Sequence, residues 1–323
     1  MTGYRARVRP DLDQLRTADP GEAERFFDDV DAELLVQAVA AASDADLLDL
    51  IGRDEIRSAA VAGILGRLHE FSLPERMARL QGVVRFDLHQ RDQVLERHAL
   101  SFDDGTMTPR FGIDDQTPAD VVLTTSVLTF VRLVSGERNA GLEYLAGRLD
   151  IEGDADLALG LGGIFRVPGT DSVAVDPTAL DPVDVATALK EVKSDHLSKV
   201  MHSGFREVVL SEIFRRLPEF VDQKKAAKVQ LCVGFRLTGA PSGEIERYVV
   251  EVDRGLATVT PGDEGSDHRD ATVTCEGHDF LRLATGQLHP VRGVLTGALK
   301  VKGDRTKALA LNAVMVPPQP RKS

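Results

Sequence analysis

The chain has 323 residues with a net charge of −12, and 42% of its residues are hydrophobic and 28% charged, which suits about two ordinary globular domains that each bury their own core. No apolar run reaches the ~18 residues of a membrane span, and no apolar stretch follows the basic start MTGYRARVRPDLDQL as a secretory signal requires. The charge is divided, −16 over residues 1–189 and +4 over 190–323, and so acidic a first half argues against nucleic acid, which demands clustered cations.

Residues 1–29 read as an N-terminal segment. From 32 to 72 apolar residues recur at spacings of three and four (Leu34, Leu35, Ala38, Val39, then Ile56, Ala60, Ile64, Leu65, Leu68). This predicts two helices, roughly 31–42 and 45–70. VVRFDLH alternates as a strand, and QVLERHALSF, GTMTPRFGI and ADVVLTTS read as three more, with Asp104-Gly105 as a hairpin turn. SVLTFVRLVSG predicts a short helix stopped by Gly136, and AGLEYLAG a second. RLDIEG is a fifth strand, with Leu149 and Ile151 inward and Asp150 and Glu152 outward. Asp154 is placed to cap a last helix, DADLALGLGGIF. Such an order predicts an α+β fold, helices covering a mainly antiparallel sheet.

The same order then recurs. LAGRLDIEGDADLALGL (145–161) and LTGALKVKGDRTKALAL (295–311) share eight of seventeen residues at an offset of 150. The match extends outward through Phe130/Phe280, Arg132/Arg282 and Glu96-Arg97/Glu246-Arg247. It continues at an offset of 149 to ILGRLHEF and IFRRLPEF. Two similar domains follow, 30–166 and 178–316, joined by a proline-bearing connection at 167–177 and followed by a tail, 317–323.

The run ADVVLTTSVLTFVRLVSGERNAGLEYLAGRLDIEGDADLALGL and its partner DATVTCEGHDFLRLATGQLHPVRGVLTGALKVKGDRTKALAL resemble the C-terminal half of a sterol carrier protein 2 domain. The resemblance rests on a Phe-bearing helix, a Gly turn, a second helix, a Gly-x-Leu-x-Ile/Val-x-Gly-Asp strand and a closing apolar helix. It implies, in each copy, a five-stranded sheet covered by helices around an apolar cavity for a sterol, a fatty acid or an acyl-CoA ester. The residues expected to line it are Phe130, Leu133, Leu142, Leu145, Leu159 and Leu161 in the first copy. In the second they are Phe280, Leu283, Val294, Leu295, Leu309 and Leu311. Filling a core is the simpler use of apolar residues at helical spacing.

Chemistry is harder to find. None of the eight histidines sits in a metal-ligand spacing or faces a histidine in the other copy, and no G-x-S-x-G or G-K-[ST] motif occurs. No catalytic residue, metal or cofactor is therefore expected. The two cysteines, Cys232 and Cys275, read as buried thiols of a reducing, cytoplasmic protein. Gly147, Gly153, Gly297 and Gly303 bracket the fifth strands as turns. Those strands differ in charge: Asp150 and Glu152 are replaced by Lys300 and Lys302, followed by Arg305 and Lys307. The basic side is expected to dock on an anionic membrane or an acidic protein. Lipid carriage is the main expectation; a non-catalytic scaffold with collapsed pockets, binding a partner protein, is the alternative.

Overall fold

The computed structural model describes residues 10–166, 173–262 and 269–321. Residues 1–9 of the N-terminal segment, 167–172 of the connection, His268 and the last two residues of the tail lie outside the described residues. The chain divides into two compact units, Met1–Asp176 and Pro177–Ser323.

The first unit opens with helices α1 (Pro20–Asp29), α2 (Ala32–Ala41), α3 (Asp44–Ile51) and α4 (Asp54–Arg67), then a short α5 (Pro74–Met77). Strands β1 (Gly82–Gln90), β2 (Gln93–Asp103) and β3 (Thr106–Phe111) form a meander. β4 (Val121–Ser126), α6 (Val127–Val134), α7 (Ala140–Leu145), β5 (Leu149–Gly153) and α8 (Ala155–Ile164) complete the unit. The strand order is β3-β2-β1-β4-β5, antiparallel except where β1 pairs with β4 in parallel. Alternation in β1 sends Val84, Phe86 and Leu88 to one face. They join Leu47, Ile51, Val61, Leu65, Phe130, Val131, Leu157, Leu161 and Ile164 from the helices in a single core.

The stretch expected to be one helix over 45–70 is two. Gly52 closes α3, and Arg53 is extended (φ −87°, ψ 122°) before α4 begins. The Arg53 guanidinium holds the break open by donating to the carbonyls of Leu15, Arg16 and Ala18. The N-terminal segment is itself structured. Asp19 and Glu22 form a capping box at the start of α1, and Phe27 packs in a second core with Leu15, Leu50, Ile56 and Ala60. Gly63 makes this fit possible, since a Cβ there would lie 2.7 Å from the Cβ of Phe27.

The second unit repeats the plan: α9 (Pro182–Leu189), α10 (Ser194–Met201), α11 (Arg206–Arg216), α12 (Gln223–Ala226), β6 (Gln230–Thr238), β7 (Glu246–Asp253), β8 (Leu256–Pro261), β9 (Ala271–Glu276), α13 (Gly277–Ala284), α14 (Pro290–Thr296), β10 (Leu299–Gly303) and α15 (Arg305–Val314). Its sheet runs β10-β9-β6-β7-β8, with β6 and β9 parallel. Glu212 stands where the first unit has Gly63, and it pairs with Arg215 and Arg216. No helix of the described residues is long and apolar enough to cross a membrane.

The glycines that end the fifth strands have a steric reason. Gly153 and Gly303 hold φ at 102° and 95°, and a Cβ would lie 2.0 Å from the Asp120 carbonyl oxygen and 2.5 Å from that of Asp270. Gly303→Ala should cost the second unit at least about 1–3 kcal/mol. Its urea midpoint measures this, and an unchanged midpoint would show that the close approach carries no constraint.

Candidate functional site

In the first unit Ser126 caps α6 by accepting from the Thr129 N–H, which turns Phe130 toward the sheet. Phe130 is buried and meets Phe86 of β1 edge-on at 5.9 Å. Leu161 belongs to the same core, while Leu145 is buried outside it. Leu133, Leu142 and Leu159 are half-buried.

In the second unit Phe280 and Leu311 are buried and Leu283 is half-buried. Phe280 stacks on Phe214 of α11 at 4.7 Å, and Phe214 stacks in turn on Tyr248 of β7 at 3.7 Å. Phe235 of β6 stands edge-on to both phenylalanines. The first unit has Leu65, His98 and Phe86 at the positions of Phe214, Tyr248 and Phe235.

Three of the expected lining residues are exposed. Leu295 is 82% exposed, Leu309 47% and Val294 37%. Helical geometry explains this, because residues two apart point about 200° from each other. α15 buries Leu311 and Val314, so Leu309 faces away. On α14 it is Gly293 that faces the sheet, where a Cβ would lie 2.7 Å from Leu299. Leu295 is thus turned outward, with Val294 between the two directions. Phe86, Phe214 and Phe235, which touch Phe130 or Phe280, and Tyr248, which stacks on Phe214, were not singled out by the sequence, because local spacing does not show which side chains meet.

An ion pair joins a helix to the sheet in each unit, buried at both partners in the first and at the arginine in the second. Arg57 Nε donates to Glu96 Oε1 at 2.9 Å, and Ser58 Oγ donates to the same oxygen at 2.6 Å. The Gly112 N–H donates to His98 Nδ1, which leaves His98 Nε2 to donate to Glu96 Oε2 at 3.2 Å. Burial alone would push the Glu96 carboxyl up, but the hydrogen bonds from His98, Ser58 and Arg57 outweigh it and hold the group below its ordinary range. Arg206 repeats the role of Arg57. Its Nε donates to both oxygens of Glu246, at 2.9 and 2.8 Å, and its Nη2 donates to Oε2 at 2.6 Å. The remaining donors go to the carbonyls of Met201, Gly239 and Thr238.

These contacts suit positioning rather than reaction. Ser58 gives its hydrogen to a carboxylate already engaged by Arg57 and His98, which is a poor base. Burial, with Asp279 beside it, pushes the Cys275 thiol up to about 12, far from a nucleophile's range. Among the described residues no group of three or more His, Cys, Asp or Glu side chains is placed to hold a metal ion.

Of the expected docking residues, Lys300 and Lys302 are exposed on the outer face of β10, and Arg305 is exposed at the start of α15. Lys307 is committed, its Nζ donating to the Gln230 carbonyl at 2.6 Å. The reason is that Asp304 caps α15 and sets Lys307 in the first turn, directly over the start of β6.

The model of the SCP-2 sterol transfer family matches the chain twice, over residues 61–166 and 210–316. Human sterol carrier protein 2 is 32% identical over 117 residues, which are 36% of this chain and 21% of the human one. This chain therefore spans about a fifth of the length of that relative. The non-specific lipid-transfer protein-like 1 of Caenorhabditis elegans is 26% identical over 105 residues, 32% of this chain and 88% of that one. Among solved structures, the apo form of sterol carrier protein 2 from Yarrowia lipolytica is similar at 24% identity and a TM-score of 0.29, over 35% of this chain and 91% of that chain.

Proposed function

The chain belongs to the SCP-2 sterol transfer family, and on that premise we propose that it is a non-enzymatic binder or carrier of a hydrophobic ligand: a sterol, a fatty acid or an acyl-CoA ester. Each unit takes its ligand between the sheet and the helices near 126–146 or 276–296, in an apolar space of the ~300–1,000 Å³ usual for such sites. The observation that carries this reading is the double family match, which covers the whole sheet and helices α5–α8 in the first unit and α12–α15 in the second. The buried aromatic and aliphatic side chains around Phe130 and Phe280 supply the apolar walls that lipid binding needs.

A second reading is favoured for one unit alone. The stack of Tyr248, Phe214 and Phe280 puts three rings where the first unit has His98, Leu65 and Phe130. Such filling supports a collapsed pocket and a scaffold role for the second unit. Native mass spectrometry of the purified full chain, followed by lipid extraction, separates the possibilities. Two bound lipids per chain support carriage by both units, and one supports carriage by the first alone. Bare protein that also refuses added fatty acid removes the proposal.

A further inference from the structure

One end of the second sheet gathers six cations. β6 begins at Gln230, two residues after Lys228, and the Gln230 side-chain amide donates to Asp253 Oδ1 at 2.7 Å. The backbone N–H of Arg254 donates to the Val229 carbonyl at 2.9 Å. The β7–β8 turn therefore sits over the start of β6. It also meets α12, since a Cβ on Gly255 would lie 3.1 Å from the carbonyl oxygen of Gln223, the residue before Lys224 and Lys225. From the other side the contact of Lys307 with the Gln230 carbonyl brings in the first turn of α15 and Arg305. Lys224, Lys225, Lys228, Arg254, Arg305 and Lys307 thus converge on a single end of the unit.

The carboxylates among the described residues at this end are taken up by the fold. Asp222 and Asp304 cap helices, with Lys225 3.7 Å from Asp222. Asp253 accepts from Gln230 and Arg254, and Asp270 accepts from the Cys232 N–H. Beside them, at the start of the edge strand β8, stands Leu256, 73% exposed. Its hairpin is stiff, because Arg254 and Gly255 both hold positive φ, 49° and 95°, as a tight two-residue turn requires.

The first unit lacks this excess of positive charge. Its residues at the six cationic positions are Glu75, Arg76, Arg79, Asp104, Ala155 and Leu157, whose charges cancel, and Thr106 replaces Leu256. Leu157 is buried, where Lys307 instead reaches across to Gln230. The fold does not need the cations, so their presence in one copy calls for an occupant that is negative outside and apolar beneath. A lone exposed leucine beside long flexible side chains also fits a fluid surface better than the fixed pocket of a protein partner.

We propose that this end of the second unit docks on an anionic phospholipid membrane, with Leu256 inserted at the interface and the five exposed cations, Lys224, Lys225, Lys228, Arg254 and Arg305, among the headgroups. Each cation near such a surface is worth about fivefold in affinity.

The chain has no tryptophan, so Leu256→Trp in the full chain places a single reporter at the tip. With phosphatidylcholine vesicles carrying 30% phosphatidylserine, its emission should shift to shorter wavelength and the protein should sediment with the vesicles, less so as salt rises. Pure phosphatidylcholine should do neither. A triple replacement, Lys224→Glu, Arg254→Asp and Leu256→Thr, installs the first unit's residues. It should keep the thermal midpoint while lowering vesicle binding at least about tenfold. The proposal is overturned if the natural chain ignores the anionic vesicles, including the case in which it captures only an acidic protein. It is equally overturned if it binds neutral vesicles as well, if the triple replacement still binds, or if the reporter stays unshifted on bound protein.

Discussion

Arg206→Met should destabilise the second unit by at least about 1–3 kcal/mol, the cost of leaving a half-buried carboxylate and three carbonyls without their donor. Arg206 is 3% exposed, and its guanidinium ties Glu246 of β7 to the carbonyls of Met201, Thr238 and Gly239. Removing it strands one carboxylate and three carbonyls at once. Arg57→Met should weaken the first unit by the same mechanism, since Arg57 joins Glu96 of β2 to the Ile51 carbonyl. Urea unfolding of the full chain reads both. The affected transition moves to lower urea while the other stays in place. Replacing the carboxylate as well, in Arg206→Met with Glu246→Leu, should recover much of the loss, because the penalty lies in the unpaired charge. A midpoint unmoved by Arg206→Met would show that the fork of hydrogen bonds is not holding the unit together.

Phe130→Asp and Phe280→Asp should each abolish or strongly weaken binding of a fluorescent fatty acid in one unit and leave the other intact. Both rings are buried among apolar neighbours. A carboxylate there costs several kcal/mol unless it protonates or reaches water. Phe→Ala variants, which leave a cavity at about 3–5 kcal/mol without adding charge, separate lost folding from lost binding. An alanine variant that stays folded and binds, beside an aspartate variant that stays folded and does not, places the ring at the ligand. Unchanged stoichiometry in both aspartate variants removes Phe130 and Phe280 from the site. If the Tyr248–Phe214–Phe280 stack fills the second unit, only Phe130→Asp alters the titration.

The repeat was the most legible feature, because duplicated spacing is readable without any knowledge of contacts. It correctly placed five strands in each copy, the caps at Asp154 and Asp304, and the glycines that close the fifth strands. Local pattern could not show that β1 pairs with β4 in parallel, since alternation is the same for either neighbour. The break at Gly52-Arg53 was invisible for a similar reason, as the apolar spacing runs across it while the cause lies some 35–38 residues away at Leu15, Arg16 and Ala18. Helix α1 did carry a signal, Asp19-Pro20 followed by Glu22, although too little apolar periodicity accompanied it. In the candidate site, Leu159 with Leu161, and Leu309 with Leu311, were taken together although helical geometry turns residues two apart to different sides. Buried polar partners such as Arg57 with Glu96, far apart in the chain, leave no local mark at all.

The parallel pairing of β1 with β4 has a consequence for how the chain reaches its native state. Val84 must find Val121, 37 positions on, before the middle of the sheet exists. The same register is offered by Ala271 of β9, about 190 positions away, which pairs with Val233 in the second unit. Closing the longer loop costs only about 1.4 kcal/mol more, because loop entropy grows with the logarithm of length. Proximity in sequence therefore favours faithful pairing by only about tenfold. Any further discrimination must come from positions where the copies have diverged, and the Leu65/Phe214 and His98/Tyr248 exchanges are two such positions in the cores. Divergence between the repeats is thus the remaining means of keeping a duplicated protein from assembling its halves into each other.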